Sequence, residues 1–314
     1  MGREEGGVNG WGGPKTRVWL ALVTVYLVWG STYLGIHLAL DGFPPFLLGA
    51  GRSAVAGGVL YGFLRLRGER APTREEWKDA AVVGLLLLVG GNGLVTFAQQ
   101  WVASGLASVV LATVPLWAAV FVGLLGQWPG RWERLGLVVG FAGVAMLQWE
   151  RGLRTEPLGA AALLLAAVLW AAGSVWSQRL RLPSGLMAGA AQMLAGSAAL
   201  LAIALLSGER VQAPVPVHAW AAAAYLTVVG SLVGFSAYSF LLRRVRPSLA
   251  TSYAYVNPLV AVTLGTAVLG ERVSPLGLGG MAAILAGVAL VLVGREVGQA
   301  QRVLVEATDG GGVG

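Results

Sequence analysis

The sequence predicts an all-α, polytopic membrane protein of ten transmembrane helices, and three observations lead there. Of its 314 residues 56% are hydrophobic and 12% charged, where soluble domains carry about 25% charged residues. The apolar content is of the small-residue kind, with 47 glycines and lysine confined to Lys15 and Lys78, which suits helices that pack closely in lipid. Apolar runs of about 20 residues, enough to cross a bilayer, recur between charges, prolines and glycines.

Along the chain, residues 1–17 are glycine-rich and polar and read as a disordered cytoplasmic tail. Val18 to Leu40 is too long for a signal-peptide core and makes the first span. Pro45 to Leu64 is the second, opened by a proline where the missing amide proton costs least. A charged turn leads to Ala80 to Gln100, then Ser104 to Gly126 with Pro115 near its middle, and Leu135 to Trp149 closes a first unit, 18–149. A second unit, 158–294, holds Leu158 to Gln178, Leu186 to Leu206, Ala219 to Leu242, Ser248 to Leu269 with Pro258, and Leu276 to Val293. Residues 295–314 read as a second disordered tail in the cytoplasm.

Basic residues set the orientation. Of 22 lysines and arginines, 4 (Arg151, Arg154, Arg210 and Arg272) fall in loops on one side, Arg52 lies within a span, and the other 17 share the opposite side. The positive-inside rule then puts both termini in the cytoplasm, with a multi-pass protein in the cytoplasmic (inner) membrane. The net charge of +7 is spread over short loops, so topology accounts for it and a nucleic-acid partner is not expected. With 0 cysteines, disulfides and thiol chemistry are excluded.

An internal repeat emerges on shifting the chain by 143 positions. Gly30-Ser31 then meets Gly173-Ser174, Phe97 meets Phe240, Ala107-Ser108 meets Ala250-Thr251, Pro115-Leu116 meets Pro258-Leu259, and Gly136 meets Gly279. An odd number of spans per unit makes the second copy enter the membrane from the other side, so the two five-helix repeats are inverted. Such halves can exchange conformations about a central site.

Candidate site residues lie on polar faces of the spans. Pro115 and Pro258 are matched mid-span breaks, read as hinges or as packing kinks. Tyr253, Tyr255 and Asn257 cluster just before Pro258, as cavity lining or as helix-to-helix hydrogen bonds. Asn92, Thr96, Gln99 and Gln100 share one face, as do Trp170, Ser174, Ser177 and Gln178. Tyr26, Gly30, Tyr33 and His37 make a third stripe, and Ser231 with Tyr238 a weaker one. Near span ends Gln99, Gln100, Gln178 and His37 read as interfacial. Trp29 and Trp117 are favoured as packing residues, while Trp170 and Trp176 stay open between packing and stacking on a substrate.

Arg52 is the single charge well inside a span. Burying it costs about 2.5–3.5 kcal/mol on insertion scales, so it either serves function or gating from the interior or snorkels to the interface. Gln192, near the corresponding place in the second half, is neutral. No P-loop, histidine pair, carboxylate dyad or nucleophile motif is present, so neither catalysis, a metal nor a cofactor is expected. No embedded acid is placed as a proton carrier, and the coupling ion stays open.

The segments "VWGSTYLGIHLAL", "ASVVLATVPLWAAV", "SLATSYAYVNPLVAV" and "GERVSPLGLGGMAAILAGVALVL" resemble EamA-type members of the drug/metabolite transporter superfamily, over roughly Val18 to Val293. The resemblance implies a ten-helix exporter of amino acids, other small metabolites or toxic compounds. It also implies a central cavity from helices one, three, four, six, eight and nine, with five and ten peripheral. By position, Gly30-Ser31, Pro115 and Asn257-Pro258 become cavity and hinge candidates. One departure is Gly270-Glu271, which faces Gln127-Trp128 in the first half. The expectation is a carrier working by alternating access, with a small-molecule substrate and the bilayer as partners and the oligomeric state, monomer included, left open. A membrane-embedded enzyme and a passive channel are the rival classes.

Overall fold

The computed structural model describes residues 14–102, 104–149, 156–260 and 275–309. All regular structure among them is helical. In order these are α1 (Pro14–Leu40), α2 (Pro45–Leu66), α3 (Arg74–Ala98), α4 (Ser104–Leu111), α5 (Val114–Leu124), α6 (Arg131–Trp149) and α7 (Pro157–Trp176). They continue with α8 (Met187–Leu206), α9 (Val217–Leu242), α10 (Pro247–Ala250), α11 (253–260) and α12 (Pro275–Asp309). Six of them, α1, α2, α3, α7, α8 and α9, are long and apolar enough to cross a membrane. The chain is thus a multi-pass membrane protein.

The α1 sequence explains its placement. Leu22, Val25, Trp29, Tyr33 and Ile36 recur every three or four residues and are buried, while Leu20, Leu27 and Leu34, seven apart, are more than half exposed. A helix apolar on both faces has one stripe for the protein interior and one for lipid. Pro14 starts α1 inside the predicted tail, since proline is tolerated in a first helical turn. The last helix likewise runs on to Asp309, past the predicted start of the second tail at Arg295. Beyond Gly294 the sequence is rich in helix formers and holds no proline.

The fourth predicted span is two helices. α4 ends at Leu111 and α5 starts at Val114, with Thr113 Oγ1 donating to Val110 O at 2.6 Å. Pro115 sits in the first turn of α5, where its missing donor is harmless, so the chain breaks just before it. In the ninth predicted span the break is at Thr251-Ser252, between α10 and α11, and Pro258 itself is helical. That span's remainder to Leu269 lies outside the described residues, as do Gly270-Glu271 and residues 1–13.

Two helices carry π turns that hydropathy does not reveal: Leu85–Gly93 in α3 and Leu226–Phe235 in α9. Shifted by 143 positions the first lands on 228–236, overlapping the second. Packing pairs α1 with α9, α3 with α7, α2 with α8, and α6 with α12. α6 and α12 cross on small residues. A Cβ added to Gly136 would come 2.6 Å from Gly287 O, and one on Gly143 would come 2.7 Å from Gly280 O. Only glycine lets the two backbones approach so closely in lipid.

Candidate functional site

Four aromatic side chains from four helices meet in the middle of the bundle. The Trp29 ring of α1 lies 5.3 Å from Trp170 of α7, 4.9 Å from Tyr238 of α9 and 4.7 Å from Tyr253 of α11, centroid to centroid. Tyr238 is 5.5 Å from both Trp170 and Tyr253. Edge-on and tilted contacts of this kind are the favoured geometry of aromatic pairs.

The polar tips are satisfied locally. Trp29 Nε1 donates to Gly230 O at 3.2 Å, a carbonyl within the α9 π turn. Trp170 Nε1 donates to the Tyr238 hydroxyl at 3.1 Å, and that hydroxyl lies 2.6 Å from Ser174 Oγ. Because Ser174 Oγ donates its proton to Trp170 O at 2.6 Å, Tyr238 is the donor to Ser174. Ser31, the repeat mate of Ser174, does the same. It donates to Val28 O at 2.7 Å and lies 2.6 Å from the Tyr225 hydroxyl, also on α9.

On the α1–α2-turn side of this cluster lies a cavity with an empty volume of about 630 Å³, taken out to its mouth. Trp29, Thr32, Tyr33 and Ile36 line it from α1, Arg52 from α2, Leu88, Gly91, Asn92 and Val95 from α3, and Leu111 from α4. Trp170, Met193, Gly230, Ser231, Phe235, Tyr253 and Asn257 complete the wall from the second half. Both π turns contribute to it. Asn92 and Ser231, one from each π turn, lie on the wall, and such turns are frequent at functional sites.

The structure divides the predicted residues. Tyr33, Asn92, Trp170, Tyr253 and Asn257 reach the wall together. Gly30 instead passes α1 against α11, where an added Cβ would come 2.6 Å from Val260 Cβ. Ser31 is bonded away to Tyr225, and Thr96 donates to Asn92 O at 2.8 Å behind the wall. Ser174 and Tyr238 form the sealed floor beneath Trp170. Tyr255, two residues from Tyr253 and so on the other face of α11, points to α6 and donates to Leu137 O at 3.3 Å. Of the residues expected at the interface, Gln99 is buried with both amide atoms unpartnered, while Gln178 Nε2 donates to Leu242 O and Val245 O at 2.7 and 2.8 Å. Trp29, expected to pack, both packs and lines the cavity. Its matched glycine carbonyl is a feature of the π turn that residue spacing does not signal. Thr32 and Met193 carry no signal at all in the sequence.

Arg52 is 6% exposed and forms part of the wall, so it does not snorkel. No hydrogen bond or ion pair joins it to a described residue, and its Nε is sealed and unpartnered. The Asn257 side chain meets the Tyr33 hydroxyl, while its Oδ1 is also buried without a partner.

Polar ties join helices at both ends of the bundle. At the end carrying the α1–α2 turn, Glu209 accepts from Phe46 N and Leu47 N at 3.2 and 2.8 Å, and His218 pairs with Asp41 at 2.9 Å. At the other, buried Glu133 pairs with Arg246 at 3.1 Å, and Arg181 with Glu75 at 2.8 Å.

Comparison with known proteins places this arrangement among transporters. The signature of the EamA-like transporter family matches residues 16–149 and again 157–293. A protein of Escherichia coli (strain K12), named as the uncharacterized inner membrane transporter YedA, is 41% identical over 285 residues, covering 90% of this chain and 93% of its own. A probable terminal-alkyne amino-acid exporter of Streptantibioticus cattleyicolor is 29% identical over 281 residues, 87% of this chain and 92% of its own. One crystal structure superposes with a TM-score of 0.73 at 24% identity, covering 89% of this chain and 98% of the other, a likeness of fold.

Proposed function

The chain belongs to the EamA-like transporter family, and from that premise we propose a carrier that expels small organic metabolites from the cytoplasm by alternating access. Amino acids and related compounds head the candidates, with drugs beside them. One observation carries the reading: a mid-bundle cavity walled by polar and aromatic residues of both halves, between two tied ends.

The mechanism rests on ten spans in two inverted five-helix units, about 18–149 and 158–294. α4 with α5 makes the fourth span, α10 with α11 the start of the ninth. The pairings support this, because the repeat shift converts α1 on α9 into α7 on α3, while α2 on α8 and α6 on α12 are each a helix against its own mate. Rocking of such halves opens the cavity to one side as the ties of that side part. Breaks before Pro115 and at Thr251-Ser252 supply the flexible points. The seat is the inner membrane with both termini cytoplasmic, on the charge asymmetry of the loops.

Counterflow in proteoliposomes containing the full chain tests the proposal. Saturable uptake accelerated by the same solute on the far side is expected from at least one of a panel of amino acids, nucleosides and cationic drugs. No uptake across that panel, or conductance without saturation in a planar bilayer, sinks it.

A further inference from the structure

A guanidinium held inside a bilayer-spanning bundle is costly, and such a residue almost always faces a partner or a water-filled cavity. Arg52 has the cavity and lacks a partner among the described residues. It joins no described residue by hydrogen bond or ion pair, and only its Nε is wholly sealed, which leaves the Nη groups to the cavity. Across the same space lies the Asn257 side chain, whose Oδ1 is sealed and has no hydrogen-bond partner among the described residues. The remainder of the wall is aromatic, aliphatic or neutral, and no carboxylate lines it among the described residues.

We infer that Arg52 is the residue that selects the transported solute, by docking a carboxylate. The inference rests on the carrier reading and narrows its substrate class to small monocarboxylates. The planar fork of an arginine matches the two oxygens of a carboxylate, and the pair neutralises a charge that no other described residue on the wall neutralises. A single cation balances a single negative charge, so doubly charged phosphate esters fit poorly. Organic cations meet the Arg52 charge with no acid to offset it. An apolar body of the solute lies along Trp29, Trp170 and Tyr253.

The test uses one carbon skeleton in several charge states: 3-phenylpropionate, L-phenylalanine, phenylalaninamide and phenethylamine. Each is measured as inhibitor of uptake into proteoliposomes, and as a shift of thermal unfolding of the detergent-solubilised full chain. The two acids are expected to bind at least about 10-fold tighter than the amide and the amine, the scale of one charge-assisted hydrogen bond lost. Arg52→Gln is expected to abolish that preference and Arg52→Lys to keep part of it. Equal binding of acid and amide by the native chain, or an acid preference unchanged in Arg52→Gln, overturns the assignment. The native comparison decides even if Arg52→Gln does not fold. Uptake of the amine or amide without the acids overturns the role of Arg52 and leaves the carrier standing. If nothing is transported the carrier reading falls, and the acid-to-amide ratio of thermal shifts still judges Arg52, with no shift by either acid counting against it.

Discussion

The Tyr238 hydroxyl spends its proton on Ser174 and accepts from Trp170 Nε1, in a place where Tyr238 is 0% and Trp170 4% exposed. Tyr238→Phe therefore strands a buried indole donor, and the expected cost is about 1–3 kcal/mol of unfolding free energy in mild detergent. Tyr225→Phe is the control. Ser31 keeps its bond to Val28 O and the site is half open, so the expected loss is under about 1 kcal/mol. Equal losses in denaturant unfolding of the two variants contradict the network as drawn. Gly91 tests packing at the same site, since an added Cβ would come 2.1 Å from Trp170 Cε3. Gly91→Ala must push the indole into the cavity, with an expected cost of about 1–3 kcal/mol and weakened solute binding by thermal shift. A variant as stable and as responsive as the native chain excludes the close contact.

At the scale of elements, the π turns aim the wall. Deleting one residue within Leu85–Gly93 restores an α-helix and rotates the rest of α3 by about 100°. Asn92 is half-buried and on the wall, and the chain has 0 cysteines, so Asn92→Cys reports on that face alone. The single cysteine is expected to react with a small water-soluble maleimide in the full-length chain. After deletion of Leu86 the reaction is expected to slow at least about 10-fold and transport to cease. Unaltered labelling after deletion means the π turn does not orient this helix. Nothing in the hydropathy of 85–93 separates a π turn from an α turn, because this stretch is apolar or glycine on nearly every face, so a rotation leaves the pattern unchanged. The glycines around Asn92 mark only that the backbone there is lightly covered.

For the whole molecule, orientation is the property that the sequence addresses most directly. Arg67 and Gln212 are exposed at opposite ends of the bundle. From the loop charges, Gln212→Cys is expected to be labelled by an impermeant maleimide on intact cells, and Arg67→Cys only after lysis. The reverse pattern inverts the topology and, with it, the direction of export. The glycine-lined crossing of α6 and α12 belongs to the same scale. These two helices pack chiefly on each other, so the cavity helices can tilt without repacking that crossing.

Solvent, apolar spans, internal repeat and transporter family are all legible in the chain alone. Each is written in transfer free energy or spacing, quantities that residues carry wherever they sit. Five of the cavity candidates are legible for the same reason, since a polar face on an apolar helix must turn inward. Which polar faces share one cavity is a property of the folded bundle. Tyr253 and Tyr255 differ by two positions and end on opposite sides of α11, and Ser31 and Ser174 turn from the cavity to tyrosines of α9. Likewise Trp29 is a wall residue, and Arg52 is buried without a partner among the described residues. Those outcomes depend on helix rotation and on neighbours distant in the chain, 64 residues for Ser174 and Tyr238, 118 for Tyr255 and Leu137, and more where Trp29 meets Trp170 and Tyr238. No local pattern encodes a rotation that a π turn resets or a contact that forms only when the two halves close around each other.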